Sequence, residues 1–329
     1  MTENSANTWP VVVSTGTPDA DLIEDLQELA GAAIESDGNP PFSEQTLVDV
    51  KSTDSEVTVY AAYCSADFSS SIVRGLAGAA VVIHARGEDD GGLLELVTRP
   101  SFRNQGVGQS VVNRASSDPG FSALSAWSHG NHAAAARLAM SCGFEPVREL
   151  WRMRQTRANA AAAGIPAEGR ALPEGVAIRT FRPGLDDDAW LRANAAAFVH
   201  HPEQGRTSLQ DLCARMAEDW FDAEGFLLAI RNSPGATDDG ELLGFHWTKV
   251  HPAASGQPAI GEVYVVGVTP AAQGMGLGKA LTLAGIEHLH GKGLQAVMLY
   301  VDADNEAAVA LYQKLGFTRW DVDVMYAVR

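Results

Sequence analysis

One loop and two side chains in the C-terminal half of the chain have the types and spacing for a proton-coupled group transfer. The loop is Gln273-Gly-Met-Gly-Leu-Gly278-Lys279, placed between a β-branched run and an Ala- and Leu-rich one. Its glycines let backbone N–H groups approach a ligand closely, and a helix starting there adds partial positive charge, which makes a phosphate cradle. Upstream stands Glu262, a carboxylate able to take a proton from an attacking nucleophile. Downstream stands Tyr312, whose phenol, with an ordinary pKa near ~10, can return a proton to a leaving group. Asn305, Ala308, Tyr312 and Leu315 recur at helical spacing and share one face, where small Ala308 leaves room for a ligand beside the tyrosine.

Three kinds of phosphate cradle compete for the loop. A Walker A loop puts a glycine at the position of Gln273 and a hydroxyl residue at Ala280, so it fails. A dinucleotide fingerprint has a different glycine spacing from Gly274, Gly276 and Gly278, and it opens a domain instead of coming late in one. The pattern Gln/Arg-x-x-Gly-x-Gly/Ala fits. It also occurs twice: Leu94-Glu-Leu-Val-Thr-Arg-Pro100 followed by Arg103 to Gly108 repeats as Tyr264-Val-Val-Gly-Val-Thr-Pro270 followed by Gln273 to Gly278. Pro100, Gly106 and Gly108 match Pro270, Gly276 and Gly278 at one offset. An Ala-rich run from Asn131 to Gly143-Phe144 matches the run from Asn305 to Gly316-Phe317 at nearly that offset. The chain is therefore two copies of one unit.

The elements that position these groups follow from local pattern. Ala-, Gly- and Pro-rich residues 157–174 read as a linker between a copy at 1–156 and a copy at 175–329. In the second copy, strands are expected near Val176–Phe181, Gly225–Arg231, Glu241–Val250, Ala259–Val268, Ala296–Val301 and Val324–Val328. Helices are expected over Asp186–Phe198, Ser208–Trp220, Gly276–His290 and Asn305–Leu315, the last with Asn305 as N-cap and Gly316 as stop. The fold class is mixed α/β (α+β) and not a doubly wound parallel sheet.

The duplicated loop resembles the pyrophosphate loop of the GCN5-related N-acetyltransferase superfamily. Asn305, Ala308, Tyr312, Gly316 and Phe317 resemble that family's second motif, Asn-x-x-Ala-x-x-x-Tyr-x-x-x-Gly-Phe. The resemblance implies two tandem acyl-CoA N-acetyltransferase folds, each a mostly antiparallel mixed sheet flanked by helices, with acetyl-CoA as co-substrate and no metal. Residues 201–205, 243–252 and 261–273 are similar to tandem members of the family that acetylate the cysteine amine of 1D-myo-inositol 2-(L-cysteinylamino)-2-deoxy-α-D-glucopyranoside.

By that resemblance Glu262 is the general base and Tyr312 the general acid. Glu203, Lys249, Glu262 and Tyr300 contact the acceptor, with Glu44 of the first copy reaching across. Acetyl-CoA lies against Val266, Gly267 and Val268, and against Gln273, Gly274, Met275, Gly276, Leu277, Gly278 and Lys279. It also meets Asn305, Glu306, Ala307, Ala308, Val309 and Ala310. First-copy counterparts are Leu96, Val97 and Thr98, with Arg103, Asn104, Gln105, Gly106, Val107 and Gly108. The family often carries Arg within the second loop, where this chain has Gly274 and Met275, leaving backbone N–H groups and Lys279 to hold the anion. Aligned on the prolines, Glu262 falls opposite Gly92, and Tyr312 opposite Leu138 or Ala139, so the first copy keeps the loop and lacks the proton-transfer pair.

Composition narrows the remaining classes. A net charge of −17 disfavours nucleic-acid and anionic-membrane partners and suits a cationic small-molecule amine. Cys64, Cys142 and Cys213 form no CxxC pair, and the N-terminus shows no signal peptide, so a reduced, cytoplasmic, monomeric enzyme is expected. His288 and His290 are two apart and cannot share a helix face, which argues against a metal. Attack in a ternary complex is favoured over an acyl intermediate on Cys213, for which no paired His is evident. Another small amine as acceptor, or a non-catalytic acetyl-CoA sensor, are the alternatives.

Overall fold

The computed structural model describes residues 9–53, 55–64, 75–85, 91–162, 164, 171–199, 202–231, 240–253 and 258–328, apart from the side chains of Pro202 and Glu203. Contacts divide the chain into one unit of residues 1–150 with 321–329 and another of residues 151–320. The division is not the contiguous one expected from the linker. A twelve-residue strand beginning in the first unit ends in the second, and the last strand begins in the second unit and ends in the first.

In the first unit, β1 (Val11–Thr15) precedes α1 (Ala20–Asp37) and α2 (Glu44–Lys51). Asp19 caps α1 by accepting the Leu22 N–H, and Gly38, at φ +73°, ends it. Then come β2 (Val57–Tyr63), β3 (Leu76–Ile83), β4 (Leu93–Thr98), α3 (Val107–Ala115), β5 (Ser125–Ser128), α4 (Ala133–Ser141) and β6 (Glu145–Thr156). β3, apolar throughout, and β2, apolar but for Thr58, are buried on both faces along nearly their whole length, as central strands must be. In this unit the order is β1-β2-β3-β4-β5, with the end of the last strand, β12 (Thr318–Ala327), beside β5. β4 and β5 are parallel, and their pairing covers only Leu93–Glu95 against Ser125–Trp127.

The second unit takes the end of β6, then α5 (Arg157–Ala162), β7 (Val176–Thr180), α6 (Asp187–Ala197), α7 (Pro202–Gly205) and α8 (Leu209–Met216). β8 (Phe226–Arg231), β9 (Glu241–His251), β10 (Ile260–Val268), α9 (Leu277–Gly291), β11 (Ala296–Asp302) and α10 (Glu306–Lys314) complete it. Its sheet runs β7-β8-β9-β10-β11-β6, antiparallel from β7 to β10 and parallel between β10 and β11.

One face of this sheet is held by aromatic rings. Phe226 stacks on Trp247 at 4.5 Å, and Trp190 of α6 meets Phe226, Phe245 and Trp247 edge-on. Truncating a buried ring of this size costs about 3–5 kcal/mol. On the other face α9 lies so close that a Cβ at Gly285 would fall 2.1 Å from His246. Burial pushes the His246 imidazole down to about 4, so it is neutral, and its Nδ1 donates to the Leu281 carbonyl at 2.7 Å. That contact pins the helix headed by the glycine loop.

Local expectations shift in four places. Residues 157–162 are helical, because Arg157 donates from its side chain to the His290 and Leu294 carbonyls and from its N–H to Gln295. The helix expected to Trp220 stops at Met216, and the chain turns so that the Trp220 ring meets Trp247 and Tyr264. The last strand starts at Thr318, where Arg152 and Arg154 of β6 lie over the Trp320 ring. Asn131, where the Ala-rich run of the first copy was read as opening, lies outside α4: it sits at φ +44° and accepts from the Tyr326 hydroxyl, and the helix begins after His132.

The first unit contains a buried charge cluster. Glu95, fully buried, accepts the Ser43 N–H and pairs with His129 Nε2 at 2.9 Å, while His129 Nδ1 faces Asp323 at 3.2 Å. Burial pushes the imidazole down, but the two carboxylates outweigh it and hold it at about 9. Because that lies above the ordinary 6.5, its stabilisation is complete below 6.5 and is lost as pH rises through 9. Thermal melts should show wild type losing stability across that interval and His129→Gln losing distinctly less.

Candidate active site

β10 places its side chains alternately. Gly261 faces α9, where a Cβ would lie 2.9 Å from Leu289, so Glu262 turns to the opposite face. There Glu262 stands directly across from Lys249 on β9 and Met298 on β11. It is buried, and its Oε2 lies 2.5 Å from His251 Nε2. Lys249 is buried too, its Nζ 4.5 Å from the Trp220 ring centre and 5.3 Å from that of Tyr264. Arg215 of α8 donates to the Tyr264 hydroxyl at 3.1 Å. Tyr264 is the extra residue of a β-bulge in β10, between Val263 and Val265. Tyr300, half-buried, follows Met298 by two positions on β11 and so shares the Glu262 face.

Tyr312 comes from the other side of the sheet. α10 starts where the Asn305 side chain accepts the Ala308 N–H, and Tyr312 packs with Val263, Leu299, Val301 and Phe317. Burial pushes its phenol up to about 12, and no described residue hydrogen-bonds its hydroxyl. β10 and β11 pair only from Gly261–Val263 against Val297–Leu299 and then part. Glu262 and Tyr312 therefore flank that opening from its two faces.

The glycine loop lies beyond the parting. Gly274 and Gly276 have φ of +81° and +80°, with no atom within 4 Å of where a Cβ would stand. These glycines are needed for backbone conformation and not for space. Gly276 caps α9, no side chain competes for the first-turn N–H groups, and no acidic residue lies in that turn. Lys279 is exposed there, and Arg231 of β8, paired with Glu241 at 2.7 Å, brings a guanidinium 3.8 Å from the Met275 sulfur. This is electropositive backbone in an acidic protein, suited to a pyrophosphate.

The first unit repeats the glycine-capped loop without counterparts of Glu262 and Tyr312. Gly106 caps α3 at φ +84°, and Asn104 takes the place of Gly274 at φ +61°. Leu96, Val97, Thr98, Arg103, Asn104, Gly106, Val107 and Gly108 line one cleft of about 570 Å³; Gln105 is not in its lining and accepts the Trp9 indole N–H. Arg103 makes a bidentate pair with Asp37 at 2.7 and 2.6 Å. A Cβ at Gly92 would lie 2.7 Å from the Ile83 carbonyl, so no carboxylate fits where Glu262 stands in the other unit.

Glu262, Lys249 and Tyr300 thus share one face of the second unit. Glu44 is exposed in the first turn of α2 in the first unit, and the Glu203 side chain lies outside the described residues. Cys213 is exposed on α8, and its thiol has no hydrogen-bond partner among the described residues. Sequence reasoning missed His251, Trp220, Tyr264 and Arg231. Of these only His251 had a visible cue, its two-residue spacing from Lys249 on a strand. Among the described residues no cluster of three or more His, Cys, Asp or Glu could hold a metal, and no helix is long and apolar enough to cross a membrane.

A strand pair that parts above a glycine-capped helix defines the GNAT class of acetyl-CoA-dependent N-acetyltransferases, and the profile of the Acetyltransferase (GNAT) family matches residues 191–317. The chain superposes on a tandem GNAT protein from the clavulanic acid biosynthesis pathway with TM-score 0.67 at 16% identity, covering 96% of this chain and 98% of that one. A GCN5-related N-acetyltransferase from Sphaerobacter thermophilus gives TM-score 0.62 at 24% identity, covering 97% and 96%. Mycothiol acetyltransferase of Paenarthrobacter aurescens (strain TC1) is 56% identical over 99% of this chain and 98% of its own length. That of Salinispora arenicola (strain CNS-205) is 46% identical, covering 96% of each. The chain belongs to the mycothiol acetyltransferase family: an enzyme of mycothiol biosynthesis that moves acetyl from acetyl-CoA to a small-molecule acceptor.

Gly276→Ala tests the cradle. A non-glycine residue at that φ costs on the order of 1–3 kcal/mol. KM for acetyl-CoA should rise about tenfold, since 1.4 kcal/mol is a factor of ten. An unchanged KM would remove the loop from the binding site.

Proposed function

We propose that the second unit acetylates the cysteine α-amine of 1D-myo-inositol 2-(L-cysteinylamino)-2-deoxy-α-D-glucopyranoside, giving mycothiol. The observation that carries this reading is the pair of buried groups, Glu262 and Tyr312, on the two sides of the β10–β11 opening. Glu262 takes a proton from the ammonium group, whose pKa near ~8 makes a modest demand on the base. The freed nitrogen lone pair forms the bond to the acetyl carbon as the carbon–sulfur bond breaks. Tyr312, kept protonated through neutral pH by its burial, gives its hydroxyl proton to the departing sulfur, and the second proton shed by the new amide nitrogen restores the phenol, so that one proton in all is left on Glu262.

The parting leaves Val266, Gly267 and Val268 with ladder groups free on the β11 side, and such groups need partners. The amide-bearing arm of acetyl-CoA can supply them, while its pyrophosphate lies on Gln273–Lys279 and the start of α10. Lys249 can donate to acceptor hydroxyls, and the Trp220 and Tyr264 rings offer flat apolar faces to a sugar. The first unit has no room for a base at Gly92, and Ala139 stands in place of the acid, its carbonyl accepting the Phe144 N–H as that of Tyr312 accepts the Phe317 N–H, so turnover is assigned to the second unit alone.

Mass detection of mycothiol from its desacetyl precursor and acetyl-CoA tests the reaction, and equal rates on unrelated amines would overturn the acceptor. Glu262→Gln and Tyr312→Phe should each lower kcat by ~10²–10⁴-fold, with KM for acetyl-CoA little changed. Full turnover by either variant would remove that residue from the chemistry.

A further inference from the structure

Acetylation of an ammonium group by a thioester yields an amide, a thiol and one proton, and that proton has to leave the site. Glu262 has little access to water, its side chain being 7% exposed. Among the described residues its carboxylate has one hydrogen-bond partner, His251, with Nε2 2.5 Å from Oε2. The β9–β10 register sets Lys249 opposite Glu262 and His251 opposite Ile260, so the imidazole and carboxylate are diagonal neighbours on one face. The His251 side chain is 31% exposed, and its Nδ1 has no partner among the described residues. The ring therefore spans from a sealed carboxylate to solvent. The other imidazoles described near this sheet have different work: His246 is sealed against α9, His288 is held by Asp222 at 3.0 Å, and His290 Nδ1 lies 3.0 Å from the Leu294 carbonyl.

We propose that His251 is a positioning residue that holds Glu262 and carries its proton out to water. This rests on the reading of Glu262 as the general base. Once Glu262 has taken the amine proton, its O–H bond breaks as the Nε2 lone pair of His251 takes the proton. The imidazolium gives its Nδ1 proton to water and becomes neutral, the carboxylate is restored, and exchange with water then returns the ring to its Nδ1–H tautomer with Nε2 free for the next turnover. A residue that served only to fix the Glu262 rotamer would be replaceable by glutamine, whose amide N–H can make the same hydrogen bond but cannot relay a proton. Lys249 from β9, Tyr264 from β10 and Tyr300 from β11 face the same pair and are unchanged by that substitution.

The test uses full-length His251→Gln with thiol release followed across pH and across imidazole concentration. The expected result is a kcat lowered roughly tenfold or more, an unchanged KM for acetyl-CoA, and a rate that rises with added imidazole where wild type does not respond. Wild-type kcat, or a lowered kcat indifferent to imidazole and to pH, overturns the relay. A thermal melt confirms folding, with His251→Asn as the second variant should the first lose its cooperative transition. Glu262→Gln in the same assay separates the two readings. If it turns over normally, the base assignment falls and the relay with it. If it is inactive while His251→Gln matches wild type, only the relay falls.

Discussion

The parting of β10 from β11 after three paired residues is the constraint on which the second unit depends. A parallel ladder that continued would seal the sheet, bury Glu262 on one face and leave Tyr312 isolated on the other. The bulge at Tyr264 adds one residue to β10 where the ladder ends, which increases local twist and bends the strand. Behind the opening, Gly285 lets α9 settle onto His246, which fixes where the helix N-terminus points. The glycine loop, the helix seat and the strand gap are therefore parts of one device.

The first unit shows that device without counterparts of Glu262 and Tyr312. β4 and β5 also part after three pairs, and Gly106 heads α3 in the same left-handed conformation. Yet the β3 backbone fills the space beside Gly92, and Arg103 is held by Asp37. Buried charge in this unit goes into the Glu95–His129–Asp323 cluster, which ties β4, β5 and the C-terminal strand together. Such a cluster holds only while all its members are paired, because a buried carboxylate without a partner is costly.

Much of the candidate site's local structure was legible because it is local. Asn305 caps α10 as its position before an Ala-rich run requires, and the repeated Gly-x-Gly spacing does head a helix in each unit. Glu262 and Tyr312 stood out because their residue types are chemical and their spacing to the motifs is fixed along the chain. His251 and Arg231 gave no comparable signal. Each matters through a partner on another strand or loop, Glu262 for one and Met275 for the other, and cross-strand neighbours depend on register.

The sequence by itself determined the duplication, the order of the strands and longer helices of the second copy from β7 onward, and the glycine conformations of the loops. These depend on residue type over a few positions, where backbone sterics and capping decide. Only the tertiary structure decided that β6 and β12 each cross from one unit to the other, that Arg157 anchors a helix where a loose linker was expected, and that Glu262 is sealed beside His251. Those outcomes come from long-range strand pairing and from hydrogen bonds that buried groups must complete, and neither leaves a periodic mark on the chain.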